Sequence, residues 1–387
     1  MSASAAPHTS ALVAARAPLA AFAAMGVVWG CFAAVLPDLK AMLNVDEAQL
    51  GLLLFLTPIA AVAAMLMAPA IGAGLGRVAL PLAVLVMGAA IALPGQSASL
   101  ILFPVAMMAC GAATGLTDVL MNARVAQLEN DRGRPLMNLC HAFYSFGYAG
   151  SAVATGAMRG ADWGPGWVMG TMAGVAMLLA LCTVERDGTI RGLSRPTDGS
   201  SAALGMIPVL GGAIVLIAFL TENAAESWSA LHIEKTLGGS PQQGSMAPAV
   251  LALTMGVARL AGQGLAGRIP AQRLLIGGAM VSAIGALGAA FAPTPALAYA
   301  AFVVMGIGAS VLAPTAFSLV GRMAAPAARA RAVARATLLG YFGYFFGPPL
   351  LGFIAGATSL PMAFVFAAVV LMFVPILAPM MLRKGRA

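Results

Sequence analysis

The sequence predicts an all-α membrane protein, with twelve transmembrane helices in two pseudo-symmetric six-helix bundles. Three observations predict it. Of 387 residues, 61% are hydrophobic and only 9% charged, against roughly a quarter charged in soluble domains. Twelve apolar runs each reach the length, about 18 to 25 residues, that crosses a bilayer as a helix. When the connections between these runs are assigned alternately to two sides, the basic residues collect on one side, the bias that sets membrane topology.

The runs lie near 18–36, 51–74, 78–95, 99–122, 138–158, 164–183, 205–227, 246–267, 273–291, 295–319, 333–356 and 360–381. With the N-terminus inside, 18 of the 21 lysines and arginines fall inside, Arg77, Arg124, Arg259 and Arg322 among them; only Lys40, Arg159 and Lys235 fall outside. One helix missed or invented would scramble that ratio. Both termini are therefore expected in the cytoplasm, in a bacterial inner (plasma) membrane. The net charge of +8 follows from these arginines and reads as attraction to membrane lipid headgroups, with no basic block that points to nucleic acid. Cys31, Cys110, Cys140 and Cys182 lie in or beside the runs, so no structural disulfide is expected. The first run reads as a retained helix, since Arg16 is its only flanking cation and a signal peptide would remove a span. A monomer is expected.

The longest polar connection, Glu185 to Ser201, divides the runs six and six. It predicts a bundle over 1–184, a cytoplasmic linker over 185–204 and a second bundle over 205–387. A weak repeat at an offset near 195 residues supports the division. Phe146, Gly147 and Tyr148 match Phe342, Gly343 and Tyr344, Gly156 matches Gly352, and Leu36, Lys40 and Gly51 fall against Leu231, Lys235 and Gly244. Two related bundles with binding between them near mid-membrane is the plan of many secondary transporters. Small residues four apart, at Gly26 and Gly30, Gly72 and Gly76, Gly111 and Gly115, and Gly343 and Gly347, suit close helix contact. Pro348 and Pro349 remove two backbone donors from the eleventh run and predict a kink there.

Asp118 stands near the end of the fourth run. A carboxylate at a helix centre costs roughly 2.5 to 3.5 kcal/mol on insertion scales, so such a residue is a functional candidate by default. Asn122, four residues on, shares its helix face. Both belong to the cytoplasmic third, and the returning fifth run brings Asn138 and His141 to a similar depth. His141, Tyr144 and Tyr148 continue up that helix as one stripe, suited to line a water-filled path. The alternative is that Asp118 caps or snorkels while the tyrosines pack.

In the seventh run Glu222, Asn223 and Glu226 fall in the outer third, with Trp228 just beyond. Two carboxylates one turn apart suit a proton carrier; the alternative is that Glu226 faces external water. Met169 and Met172 raise Cu(I) as a cargo, but no His stands four residues before a Met, and Met is common core filler. No metal site and no cofactor are expected. The sequence has no Gly-x-Ser-x-Gly elbow, no His-Glu-x-x-His and no Walker A loop, so it does not read as an enzyme.

The segment Gly115-Leu-Thr-Asp118-Val-Leu-Met-Asn122, with Arg134-Pro-Leu-Met-Asn-Leu-Cys-His141-Ala-Phe-Tyr-Ser-Phe-Gly147 after it, resembles the fourth and fifth helices of the rhizopine-transporter-like branch of the major facilitator superfamily. Thr221-Glu222 through Trp228-Ser-Ala-Leu231 resembles that branch's seventh helix, and Gly340-Tyr341-Phe-Gly-Tyr344-Phe-Phe-Gly-Pro-Pro349 its eleventh. The resemblance implies alternating access around a cavity lined by helices one, four, seven and ten, with Trp29, Asp118 and Glu222 near it. Tyr341 and Tyr344 complete the candidate pathway. Two departures stand out: Gly72-Ala-Gly-Leu-Gly-Arg77 lacks the acid of the superfamily's second loop, and a Gly-Pro pair occurs at Gly347-Pro348 instead of in helix five. Drug and proton antiport loses weight accordingly.

The reading is a secondary active transporter of a small polar organic solute, coupled to protons through Asp118 or Glu222. Export of drugs or metabolites by the same fold is the alternative, ahead of copper transport and of a membrane sensor without transport.

Overall fold

In lipid, backbone N–H and C=O groups find no water, so each pass of an apolar chain must close its hydrogen bonds within itself. The computed structural model, which describes residues 11–133, 136–191, 193, 205–262, 269–324 and 329–384, accordingly contains helices and no strand among those residues. The first bundle holds α1 (Arg16–Leu43), α2 (Glu47–Leu54 continued by Leu56–Leu75), α3 (Ala79–Ala90), α4 (Leu102–Arg132), α5 (Met137–Gly160) and α6 (Pro165–Leu181). The second holds α7 (Ile207–Leu231), α8 (Pro241–Gly262), α9 (Ala271–Ala290), α10 (Pro295–Ala309 and Leu312–Met323), α11 (Arg329–Ala357) and α12 (Leu360–Leu371 and Val374–Lys384). The expected linker over 185–204 lies largely outside the described residues, as do Arg134 and Pro135 of the family motif.

Nine helical stretches among the described residues are long and apolar enough to cross a membrane. One of them, the 50 residues of Glu47–Gln96, contains both α2 and α3, and the chain turns between them at Gly76 with φ +56°. That left-handed conformation needs a residue without Cβ. Gly76 is therefore a turn residue with open space around it, not half of a contact pair with Gly72. Entry into α2 is set by a capping box, in which the Gln49 N–H donates to Asp46 at 2.7 Å and the Asp46 N–H to Gln49 at 3.1 Å.

Several helices depart from their expected bounds, α1 among them, which runs to Leu43 instead of ending near 36. α4 runs to Arg132 instead of ending near 122, because nothing in 123–132 breaks a helix and Gly133, at φ +62°, supplies the stop. α8 begins at Pro241 instead of 246. Arg259, counted by the sequence reading among the cytoplasmic connections, lies inside α8 and lines the interior cavity.

The bundles are built on glycines whose missing Cβ lets backbones touch. Gly26 and Gly30 of α1 face the backbone of Tyr144 and Tyr148, and Gly147 of α5 faces the Ala23 carbonyl. The second bundle repeats the device, with Gly343 of α11 against the Leu216 carbonyl of α7. In the same way Gly111 and Gly115 of α4 face the carbonyls of Thr57 and Ala61 on α2. Gly115→Leu should force α2 and α4 apart at an overpacking cost of about 1 to 3 kcal/mol. The expected result is a thermal unfolding midpoint lowered by several degrees in detergent, while Gly174→Leu, a change in open space on α6, leaves it in place.

The bundles meet along two equivalent crossings. Gly156 of α5 lies on Ser245 of α8, and Gly352 of α11 lies on the Glu47 carbonyl of α2 and on Trp228. Gly156 and Gly352 are partners in the internal repeat, so the repeat that is weak in sequence is a true two-fold relation in packing.

Candidate functional site

A cavity of about 330 Å³ opens between the two bundles. Ten of the twelve candidate residues reach its wall. Trp29 comes from α1, Asp118 from α4, and His141, Tyr144 and Tyr148 from α5; Glu222, Asn223 and Glu226 come from α7, and Tyr341 and Tyr344 from α11. Four of the chain's five tyrosines are thus in one place. The face of α5 that looked like a water path lines the cavity, beside the close contact to α1 that Gly26, Gly30 and Gly147 permit.

Asp118 is half-buried and makes its bonds in two directions. Asn122 Nδ2 donates to its Oδ1 at 3.1 Å and to its main-chain carbonyl at 2.8 Å, and the Tyr341 hydroxyl donates to its Oδ2 at 3.3 Å. The last of these ties α4 of one bundle to α11 of the other. Asn122 itself does not line the cavity; it orients the carboxylate that does. Asn138 is exposed in the first turn of α5 and takes no part. His141 lines the cavity with its ring edge-on to Phe22 at 4.8 Å, and no hydrogen bond joins it to Asp118 among the described residues. The expected cluster of Asp118, Asn122, Asn138 and His141 is therefore an Asp118, Asn122 and Tyr341 cluster.

Glu222 is 8% exposed and lies 3.6 Å from the Arg259 guanidinium. Glu226 stands on the same cavity wall, one turn along. The alternative for Glu226, a place facing external water, gives way to one on the cavity wall, and α7 continues beyond it through a π-helical turn, His232–Thr236. Trp228 is fully buried beneath Gly352. The Asn223 Oδ1 and the Tyr148 hydroxyl are screened from solvent with no partner among the described residues.

The lining helices differ from those implied by the resemblance. α1, α4 and α7 contribute, but α2, α5, α8 and α11 do so as well, and α10 does not. The reason is Phe219, which stacks on Tyr344 at 4.6 Å and stands in front of Phe317 of α10.

At the end away from the chain termini, Arg159 joins the two bundles. Its guanidinium donates to both oxygens of Asp38 at 2.6 and 2.7 Å, and to both oxygens of Glu234 at 2.7 and 3.1 Å. Further bonds reach the Ala34 carbonyl at 2.8 Å and Ser245 Oγ at 3.2 Å. Asp38 belongs to α1 and Glu234 to the turn after α7, so one buried cation fastens the two bundles together. Its five-donor fork suits two carboxylates at once. Neither Arg159 nor Arg259 was a sequence candidate, because both were counted with the connections between runs; the available signal was a carboxylate at matching depth, Glu234 of the other bundle for Arg159 and Glu222 of its own bundle for Arg259.

A multi-pass helical membrane protein with one central cavity between two pseudo-symmetric bundles is the architecture of a secondary transporter. The Major Facilitator Superfamily profile matches residues 211–387. An uncharacterized MFS-type transporter of Yersinia pestis is 31% identical over 361 residues, covering 92% of each chain. This chain belongs to the major facilitator superfamily. It is also similar to the membrane protein MosC of Rhizobium meliloti, at 26% identity over 350 residues, 88% of this chain and 83% of that one. Among solved structures, the inward open conformation of the xylose transporter XylE from E. coli superposes with a TM-score of 0.77 at 13% identity, over 97% of this chain and 96% of that one.

Proposed function

We propose that the protein carries a small polar organic solute across the membrane by alternating access, in exchange with or alongside protons. The observation that carries this reading is the cavity between the bundles, walled by four tyrosines and by the ionisable groups of both halves, which Arg159 fastens together at one end. Hydroxyl and amide groups on aromatic walls suit a solute that offers both hydrogen bonds and apolar edges. The bundles 1–184 and 205–387 rock about the crossings at Gly156 and Gly352, joined by the linker 185–204. The termini face the cytoplasm of a bacterial inner membrane, which puts Arg159 on the outside. An inositol-like solute is suggested by the family resemblance alone.

Asp118 and Glu222 are the proposed proton carriers. Each also holds a neighbour from another helix, Tyr341 and Arg259, so gaining or losing a proton changes a helix contact as well as a charge. Purified protein in liposomes should show solute flux that responds to an imposed pH gradient. Asp118→Asn and Glu222→Gln should remove that response; a full response in both variants would sink the proton role. Flux without any pH response in the unaltered protein would favour a uniporter, and flux of dyes or drugs in place of polar solutes would favour the exporter reading.

A further inference from the structure

A second concavity, about 520 Å³, opens at the termini end of the first bundle, between the start of α1, the last turns of α4 and the chain leaving α6. Five arginines and three carboxylates line it. Two of the arginines are neutralised: Arg124 pairs with Glu185 at 2.9 Å and Arg191 with Asp131 at 2.6 Å. Arg16 donates to the Val184 carbonyl, a neutral acceptor that leaves its charge in place. Arg132 and Arg186 are exposed and meet no acid within ion-pair distance among the described residues. Three uncompensated guanidiniums therefore face one uncompensated carboxylate, that of Asp187.

Helix electrostatics do not account for this. A cation is favoured in the last turn of a helix, which suits Arg132, but it is disfavoured at a helix start. Arg16 is the first residue of α1, and Arg186 lies beyond α6 in no helix. The depth of the cleft points to what compensates them. The apolar stretch of α1 begins directly after Arg16, and α6 ends at Leu181, so the arginines stand where apolar surface gives way to polar surface. In the last turns of α6, before the chain reaches the cleft, Leu178 and Leu181 are 66% and 67% exposed. A phosphate anion above an apolar chain matches both halves of this surface, and guanidinium forks match phosphate oxygens.

We propose that this cleft binds the phosphate of an anionic phospholipid, held by Arg16, Arg132 and Arg186, with an acyl chain along Leu178 and Leu181. The test uses full-length protein in phosphatidylcholine nanodiscs, titrated with phosphatidylglycerol and, separately, with soluble glycerol phosphate. The variant Arg132→Gln/Arg186→Gln alters two exposed residues. Its control, Arg322→Gln/Arg329→Gln, removes the same charge from exposed sites at the same end of the second bundle. Phosphatidylglycerol should bind with a preference over phosphatidylcholine that falls about tenfold in the cleft variant and stays in the control. Equal loss in both variants would reduce the effect to diffuse surface charge and overturn the site. No preference for phosphatidylglycerol would overturn it too. Binding of glycerol phosphate that is lost in the cleft variant would keep the phosphate chemistry and overturn the lipid as its source.

Discussion

Arg159→Ala should open the end of the molecule away from the termini. The substitution leaves Asp38 and Glu234 facing each other across the bundle interface with no cation between them, and removes the hydrogen bonds to the Ala34 carbonyl and Ser245. Breaking a buried ion pair by removing one partner typically costs 3 to 5 kcal/mol. Asp38 keeps 29% side-chain exposure, which lets water compensate part of that, so about 3 kcal/mol is the expected size here. A change of that size moves a two-state equilibrium by roughly a hundredfold. Spin labels at Ala161 and Thr358, exposed positions beyond α5 and at the end of α11, should report a longer distance in the variant. Arg159→Lys, which keeps the charge but loses the fork, should fall between. An unchanged distance in Arg159→Ala would mean that the glycine crossings alone hold that end closed.

Arg259→Gln should separate stability from transport. Alone, it leaves Glu222 without its counter-charge in a nearly closed site, and the unfolding midpoint should drop. Adding Glu222→Gln removes the stranded carboxylate, so the double variant should regain most of that midpoint, since a pair removed whole costs far less than a pair broken. Transport should not return with it. If Arg259 answers to the protonation of Glu222, neither variant responds to a pH gradient, and solute flux stays at least tenfold below the unaltered protein, about 1.4 kcal/mol in barrier. The sign follows from the pair itself: protonating Glu222 removes the attraction, so acid frees Arg259 and base restores its contact. Recovery of pH-sensitive flux in the double variant would assign the proton to Asp118.

Hydropathy and arginine placement carried the helix count and order, because both are written in runs of 20 residues that the bilayer forces on the chain. Single carboxylates in those runs were legible for the same reason: Asp118 and Glu222 each stand out against an apolar background, and both reach the cavity. Pairing was not legible. Tyr341 bonds to Asp118 across 223 positions, and Arg159 joins Asp38 to Glu234 across bundles, relations that depend on how the halves dock and leave no local trace. Depth was misread at Arg259, which was counted with the cytoplasmic connections although it stands within the eighth apolar run and lines the cavity. Asn138 went the other way, since a first-turn residue on α5 shares a depth with Asp118 without sharing a face.

The two-fold relation between the bundles is broken at one point. Counting 195 residues on from Arg159 leads to Ile354, at the same end of α11, and the neighbouring Ala355 and Gly356 are equally unable to form an ion pair, so the repeat does not double this fastening. A carrier with identical closures would present its site equally to both compartments. On the proposed alternating access, the Arg159 bonds favour the form that presents the site toward the termini, and a ligand arriving from the other side meets the site in only a fraction of the molecules. Apparent affinity is divided by that fraction. Half-saturation should therefore come at a higher solute concentration from the Arg159 side than from the termini side, and Arg159→Ala should bring the two values together.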